Sequence, residues 1–371
     1  MSSAKQPENR LKEERQRRGW SQADLAERAG ISRAAVSAIE NARLLPSVAA
    51  ALSLAHALES SVELLFAKPK PPVGCSDWAW TPSREPCRYW LAQVRDRLLR
   101  YPVEMVSPLA HDGCLVDGRF IEHPHALPDR TLVLASCDPA AGLLAGPLWQ
   151  QFGIRLLVLS RSSSQSLKLL GDGLVHIAGL HFATAERLDS NAAAVVASLG
   201  NGYSLLRLAR WQEGIALGRA LGLRSVSSAL KSRLRWVGRE PGSAARQCLD
   251  ELLPARCKLR RFARDHFGVA EAVRSGWADA GVCVRYVSAQ ADLDFLPVRD
   301  EFYDVCFPAS ETQDPRIQSV IQLVRERSFR QVMNELPGYQ MCTADMQVLL
   351  GNAESQEIRL GRMESGPSVE V

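Results

Sequence analysis

Gln22, Ser32, Arg33, Ala34, Ser37, Ala38, Asn41 and Arg43 are short or polar residues that fall on one face when their stretch is wound as helices. Such a face suits a DNA major groove, where side chains meet base edges. A second set of chemistry-bearing residues sits in three loops further along. These are Ser136-Cys137-Asp138, Ser162-Ser163-Ser164, and Gly242-Ser243 with Arg246 one turn later. A serine at a helix start sets its hydroxyl beside free N–H groups at the positive end of the helix, which is anion-binding chemistry. Taken singly, each such serine is a helix cap worth about 1 kcal/mol. Cys137 beside Asp138 also has the makings of a thiol nucleophile with His176 or His181 as its base, although thiols on buried strands are usually inert. His111, Cys114, His123 and His125 are metal-ligand types whose spacing fits no standard zinc pattern. With no G-x-S-x-G, P-loop, G-x-G-x-x-G or H-E-x-x-H in the chain, the sequence assigns no catalytic residue and no metal ligand.

The elements that must position the first set are legible in SQADLAERAGISRAAVSAIENAR, residues 21–43. Ser21 and Asp24 form a capping-box pattern that opens a helix from Gln22 to Ala29. Gly30 turns the chain at a positive φ, Ile31 plugs the turn, and Ser32 caps a second helix reaching Asn41. Leu25, Ala26, Ala29, Ile31, Val36 and Ile39 then share one interior, which makes the stretch a helix-turn-helix. An αα-hairpin with a solvated polar face is the competing reading. Against it stand a preceding helix (Leu11–Arg18), a fourth opened by Pro46-Ser47, and a short fifth opened by Ser60 and Glu63. Five short helices so capped resemble the phage-repressor-like (Xre-type) DNA-binding domain over residues 7–67. Ala42 stands where that family usually has Gly, so Asn41 is expected to take the left-handed cap itself. Lys5, Arg10, Lys12, Arg15, Arg17 and Arg18 face only Glu8, Glu13 and Glu14, and a basic first helix of this kind would lie beside phosphates.

The chain has 371 residues, too many for one small module, and 46% apolar residues with 23% charged fit ordinary buried cores. The net charge of +4 says little by itself about nucleic acid. The first twenty residues lack the apolar core of a signal peptide, and no apolar run approaches the ~18 residues of a membrane span. Nine cysteines without a C-x-x-C pair read as reduced thiols in the cytoplasm.

Along the chain, residues 67–74 are a Pro-rich linker expected to be stiff and extended. Residues 75–128 read as a small α+β connecting module that packs on a neighbour and includes an amphipathic run from Tyr89 to Leu99. From Thr131 strands and helices alternate: strands at 131–138, 154–161, 174–182, 208–218, 232–240, 277–285, 293–298 and 301–308. Helices lie between them, and one long helix spans 315–336. Such alternation predicts a parallel sheet whose strand-to-helix loops lie at its carboxyl edge, where open α/β folds bind ligands. The polar tail, 346–371, is expected to be disordered.

This order, carried by ASCDPAAGLLA, VLSRSSSQSL, VHIAGLHF, GREPGSAARQCLDELL, GWADAGVCVR and FRQVMNELPGY, resembles the type II periplasmic-binding-protein fold. The molybdate-binding-like domain joined to bacterial helix-turn-helix regulators is the nearer resemblance. It covers roughly 130–345; a plain doubly wound enzyme domain is the competing fold. The expected architecture is an all-α helix-turn-helix domain (1–67), a linker and small module (68–129), a two-lobed α/β sensor (130–345) and a tail. The resemblance implies a ligand between the lobes, held by Ser136, Asp138, Ser162, Ser163, Gly242, Ser243 and Arg246, and it suggests an oxyanion such as molybdate or tungstate. Asp138 and Glu240 count against a dianion unless Arg161, Arg239 or Arg246 neutralises them, and suit a donor-rich ligand such as a pterin, an amino compound or a sugar. The reading as a whole is a cytoplasmic, homodimeric transcriptional regulator that binds operator DNA and a small effector, with no membrane partner and no cofactor. A ligand-binding enzyme and a ligand-free DNA-binding scaffold are the competing classes.

Overall fold

The computed structural model describes residues 11–41, 43–66, 77–103, 110–254, 257, 259–342, 346–349 and 356–358. The chain divides into two compact units, Met1–Gly74 and Cys75–Val371. The expected linker at 67–74 lies outside the described residues.

Among the described residues the first unit has five helices: α1 (Leu11–Arg17), α2 (Gln22–Ala29), α3 (Arg33–Glu40), α4 (Val48–Ala57) and α5 (Val62–Phe66). Ser21 closes a full capping box with Asp24, Gly30 turns at φ +64°, and the Ser32 hydroxyl accepts from the Ala35 N–H. Leu25, Ala26, Ala29, Val36 and Ile39 pack with Leu11, Leu54, Leu58 and Leu65 in one core. The left-handed cap expected of Asn41 is not formed. Its φ is −91°, and its side-chain amide donates to the Ser37 carbonyl at 2.7 Å, so the helix end is satisfied from within.

The second unit begins with a five-stranded sheet: β1 (Asp77–Trp78), β2 (Cys87–Val94), β3 (Arg97–Pro102), β4 (Gly113–Val116) and β5 (Arg119–Glu122), in the order β1-β3-β2-β4-β5. The amphipathic run read at Tyr89–Leu99 is therefore a β-hairpin, turned at Arg95 with φ +51°, and the α+β module is all-β among the described residues. It packs on a neighbour. Trp90, Val94, Leu99 and Tyr101 share a core with Val133, Leu157, Leu170 and Leu180 of the α/β part. Buried Asp112 accepts from Arg155 at 2.6 and 2.5 Å, which ties the two sheets together.

The α/β part runs β6 (Thr131–Ser136), α6 (Ala145–Phe152), β7 (Arg155–Ser160), α7 (Ser163–Gly171), β8 (Ile177–Thr184), α8 (Ser190–Leu199) and β9 (Tyr203–Leu217). It continues with α9 (Val226–Lys231), β10 (Trp236–Arg239), α10 (Ala244–Leu252), β11 (Arg261–Ala263), α11 (His266–Arg274), β12 (Ala280–Val284), α12 (Arg285–Gln290) and β13 (Asp294–Pro308). It closes with α13 (Pro315–Leu323), α14 (Arg327–Asn334), β14 (Tyr339–Met341), β15 (Met346–Leu349) and β16 (Gln356–Ile358). The strand order is β11-β10-β12-β9-β13-β8-β6-β7.

The sheet is mixed, not parallel. β6, β7 and β8 are parallel in one lobe and β10, β11 and β12 in the other, but β9 and β13 pair antiparallel with each other and with β12 and β8. Each of these two central strands has 15 residues, about 50 Å at the usual rise, and so runs from one lobe into the other. The two strands expected at 293–298 and 301–308 are the single strand β13. Its register shifts between Pro297 and Arg299 and again between Tyr303 and Asp304, and the strand runs through Arg299-Asp300-Glu301 without a break. The long helix expected at 315–336 is two, α13 and α14, interrupted at Val324–Glu326. The tail expected to be disordered includes β15, which pairs with β9, and β16, which pairs with β15. Among the described residues no helix is long and apolar enough to cross a membrane.

Candidate functional site

In the first unit Arg33 and Ala34, on the first turn of α3, are exposed, as are Ser32, Asn41 and Arg43; Ser37 and Ala38 are half-buried. Gln22 is held by Glu40, to which its amide donates at 2.8 Å. Arg15 differs from the sequence expectation. It is buried, forms a two-pronged pair with Glu40 at 2.6 and 3.1 Å, and donates to the Trp20 carbonyl at 2.6 Å. Its guanidinium therefore clamps α1 onto α3 and is not offered to phosphates. Burial alone would raise the Glu40 carboxyl, but bonds from Arg15 and Gln22 outweigh it and hold the group below its ordinary range. Arg17, by contrast, is well exposed, and it pairs with Glu14 at 2.9 Å.

In the second unit a buried polar cluster lies where β9 and β13 cross between the lobes. It starts at the carboxyl end of β6. Ser136 hydrogen-bonds the Tyr303 hydroxyl at 2.8 Å, and Asp138 accepts from the Tyr339 hydroxyl at 2.6 Å and from the Ala140 N–H at 2.9 Å. Burial pushes the Asp138 carboxyl up despite these bonds. Between them Cys137 places its Sγ 2.8 Å from His181 Nε2, and His181 Nδ1 lies 2.7 Å from Glu301. Trp211 donates to the same carboxylate oxygen at 3.2 Å, while Arg299 bridges Glu301 at 2.7 Å and Glu213 at 3.1 Å. Burial and the neighbouring Glu301 drive the Glu213 carboxyl well above its ordinary value. Burial would lower His181, but Cys137 and Glu213 raise it.

His266 opens α11 behind the Asp265 cap and is 1% exposed, and neither of its ring nitrogens has a hydrogen-bond partner. Burial and the Arg239 charge put its pKa well below the ordinary histidine range, leaving a neutral imidazole. Its ring centroid is 5.9 Å from that of His181. Arg239, 2% exposed, forms a two-pronged pair with Glu240 at 2.9 Å.

The serine loops meet, but most of their hydroxyls are spent locally. Ser162 closes a capping box with Gln165, and Ser243 caps α10 through the Arg246 N–H while donating to the Glu240 carbonyl. The Ser163 hydroxyl accepts from the His181 N–H at 3.3 Å. The contact between lobes is made by Ser164, whose hydroxyl donates to the Gly242 carbonyl at 2.7 Å; Gly242 stands at φ +87°. Arg246 turns away to pair with Asp250 at 2.8 Å. An open groove of about 1500 Å³ runs along the same loops and is lined by Arg161, Gln165, Glu240, Phe262 and Arg264 with Trp80 of the small sheet.

His176, the other histidine considered as a base, is a core residue: it accepts from the Val133 N–H at 3.0 Å and bonds the Gln93 carbonyl at 2.9 Å. His111 meets His123 edge to face at 5.0 Å between ring centroids, and His123 stacks on His125 at 5.3 Å. Among the described residues, the groups whose ligand atoms converge lie elsewhere: Cys137, His181 and His266, and His181, Glu213 and Glu301. Sequence reasoning missed Trp211, Glu213, His266, Arg299, Glu301, Tyr303 and Tyr339. The available signal was a carboxylate set inside each of two apolar strands, Glu213 in ARWQEGIAL and Glu301 in RDEFYDV.

Residues 11–65 match the helix-turn-helix family model of the Xre type, and residues 148–325 match the model of the periplasmic-binding-protein (PBP) superfamily domain. The chain is 27% identical over 190 residues to YvgK, an uncharacterised protein of Bacillus subtilis (strain 168). That match spans 48% of this chain and 61% of YvgK, less than two thirds of the relative's length. Among solved structures, PhnD1 from Prochlorococcus marinus (MIT 9301) in complex with methylphosphonate is 12% identical with a TM-score of 0.41, covering 58% of this chain and 93% of PhnD1. The tungstate-binding protein TupA from Desulfovibrio alaskensis G20 is 15% identical with a TM-score of 0.41, covering 57% of this chain and 98% of TupA.

Proposed function

We propose that this chain, an Xre-type helix-turn-helix domain followed by a PBP-superfamily domain, is a ligand-responsive transcriptional regulator acting in the cytoplasm. In this reading residues 1–67 bind operator DNA through α3, residues 130–345 hold a small effector between their lobes, and the small sheet of residues 68–129 is docked on the sensor. The observation that carries it is the presence in one chain of an exposed, short-chained α3 face and a buried ionisable cluster on the strands joining two lobes. An effector bound better by one lobe arrangement than another shifts the balance between them, and that differential affinity is all that regulation requires.

The interior argues about the kind of effector. Arg239 and Arg246 are each held by a carboxylate, and Asp138, Glu213 and Glu301 are buried in the polar cluster between the lobes. This disfavours molybdate, tungstate or another dianion, and favours a ligand that is cationic or rich in donors. One helix-turn-helix reads few base pairs, so the active form is a homodimer on a two-fold-related operator with half-sites about 34 Å apart or a multiple of that. Selection of binding sites from a random duplex library by the full chain tests the reading. A recovered two-fold sequence bound at least ~1000-fold more tightly than random duplex is the expected outcome. Equal affinity for both, or sedimentation as a monomer on the recovered site, overturns it.

A further inference from the structure

We propose that Cys137, His181 and His266 form a site for a borderline divalent cation of the zinc class, and that this cation is the effector that draws the lobes together. The inference rests on reading the interlobe interior as the effector site, and it names the ligand class.

The donor set is one thiol and two imidazoles, which selects zinc-class ions over magnesium or calcium, whose preference is for oxygen. One ligand atom from each residue lies within 4.8 Å of the other two, and Cys137 Sγ and His181 Nε2 are 2.8 Å apart. Tetrahedral coordination at about 2.3 Å for sulfur and 2.0 Å for nitrogen sets ligand atoms about 3.3–3.5 Å apart. The side chains reach that spacing by moves of about an ångström, with a fourth position left for water or a second ligand.

His266 is the observation that singles out this cluster. A fully buried imidazole with neither nitrogen satisfied is rare in a folded chain, and a metal ion gives one of those nitrogens its partner. The outer partners are also in place. His181 binds the ion through Nε2 while Nδ1 is held by Glu301, and Glu301 is held in turn by Trp211 and Arg299. A carboxylate behind a ligating histidine fixes its tautomer and orientation. On binding, the Cys137 thiol gives its proton to solvent and the sulfur takes the ion. Cys137 follows β6 and His181 lies on β8, whereas His266 opens α11 on the other side of β9 and β13. The ion thus joins the two lobes directly.

The test uses the full chain, reduced, stripped with a chelator and titrated with Co2+ and then Zn2+. The expected result is one Co2+ per chain with a near-ultraviolet sulfur-to-cobalt band and visible bands of tetrahedral cobalt, bleached by one equivalent of Zn2+. Cys137→Ala is expected to lose the sulfur band and His266→Ala to bind cobalt at least ~100-fold more weakly. Glu301→Gln is expected to keep the sulfur band while losing about 10–100-fold in affinity. Far-UV circular dichroism of each variant separates loss of a ligand from loss of fold, and Glu301→Gln carries the test if either ligand variant unfolds. Failure to bind Co2+ or Zn2+ saturably overturns the site, as does unchanged binding in folded Cys137→Ala and His266→Ala. Operator affinity measured with and without Zn2+ tests the regulatory clause: a change on loading supports it, and no change overturns it. A chain that ignores both ions yet alters its operator affinity with another small molecule overturns the metal and leaves the sensor reading standing.

Discussion

Two arginines close together in the chain have opposite duties. Arg33 is exposed on the first turn of α3, where side chains reach base edges, whereas Arg15 is buried in a two-pronged pair with Glu40. Arg33→Ala is therefore expected to cost about 1–3 kcal/mol on the operator and little on random DNA. Arg15→Ala should instead unfold the domain in part, because it strands a buried carboxylate, at a cost of about 3–5 kcal/mol. Operator and random-duplex titrations, with amide exchange in α2 and α3, tell these apart. A loss for Arg33→Ala that is equal on both duplexes would remove it from the reading face.

His176 gives a pH signature at the same scale. Burial, reinforced by the Arg316 charge, pushes its pKa down to about 3 from the ordinary 6.5. Its Nδ1 accepts from Val133 N–H, so Nε2 carries the proton and donates to Gln93. A folded pKa below the unfolded one means that stability is complete above pH 6.5 and is lost as pH falls from there toward 3. The slope from this residue is about 1.4 kcal/mol per pH unit. Urea unfolding of wild type and His176→Gln at pH 7.5 and 5.0 is expected to show the smaller acid loss in the variant. Parallel losses would mean that His176 does not titrate in this window.

Among the elements, β9 and β13 matter most, because they are at once the joint between lobes and the wall of the buried cluster. Gly214 lies on β9 opposite Pro297 of β13, and a Cβ there would stand 2.2 Å from the Leu296 carbonyl oxygen and 2.7 Å from the Phe295 ring. The nearest atom is backbone and cannot step aside. Gly214→Ala is expected to cost about 1–3 kcal/mol, read as a lower urea midpoint. Gly146 in α6 is the control, since a Cβ there meets nothing within 4 Å. Gly146→Ala should be neutral or stabilise by up to about 1 kcal/mol through helix propensity. A shared midpoint shift would show that both act through the unfolded chain.

At the scale of the second unit, the closed lobes are held by few polar contacts. Ser164 reaches Gly242 at 2.7 Å, and Glu251 of α10 pairs with Arg187 and Arg299 at 3.4 and 3.0 Å. The Ser164 bond, a neutral one, is worth about 0.5–1.5 kcal/mol, or about 2–12-fold in the balance between open and closed lobes. Ser164→Ala is expected to raise the radius of gyration in small-angle scattering and to weaken effector binding by that factor. Identical scattering and affinity would assign closure to Glu251 and the apolar contacts.

The sequence by itself determined what local rules govern. Ser21, Asp24, Gly30 and Ser32 act within one or two turns of chain, so caps, turn and α3 boundaries could be read residue by residue, as could the serine caps of α7 and α10. Strand and helix alternation likewise revealed an α/β class, though not the antiparallel centre of its sheet. Tertiary structure alone decided which residues share an interior. Cys137 and Glu301 stand 164 positions apart along the chain but on either side of one histidine, His181, and no local period encodes that closure. It also decided what each polar group is for. Arg15 looked like a phosphate contact until Glu40, 25 residues away, claimed it, and Arg246 looked like an anion ligand until Asp250 did. Charges inside β13 read as a strand break because a lone strand cannot bury them. They are tolerated where Glu213, His181 and Trp211 arrive from elsewhere in the chain to meet them, with Arg299 of the same strand between the two glutamates.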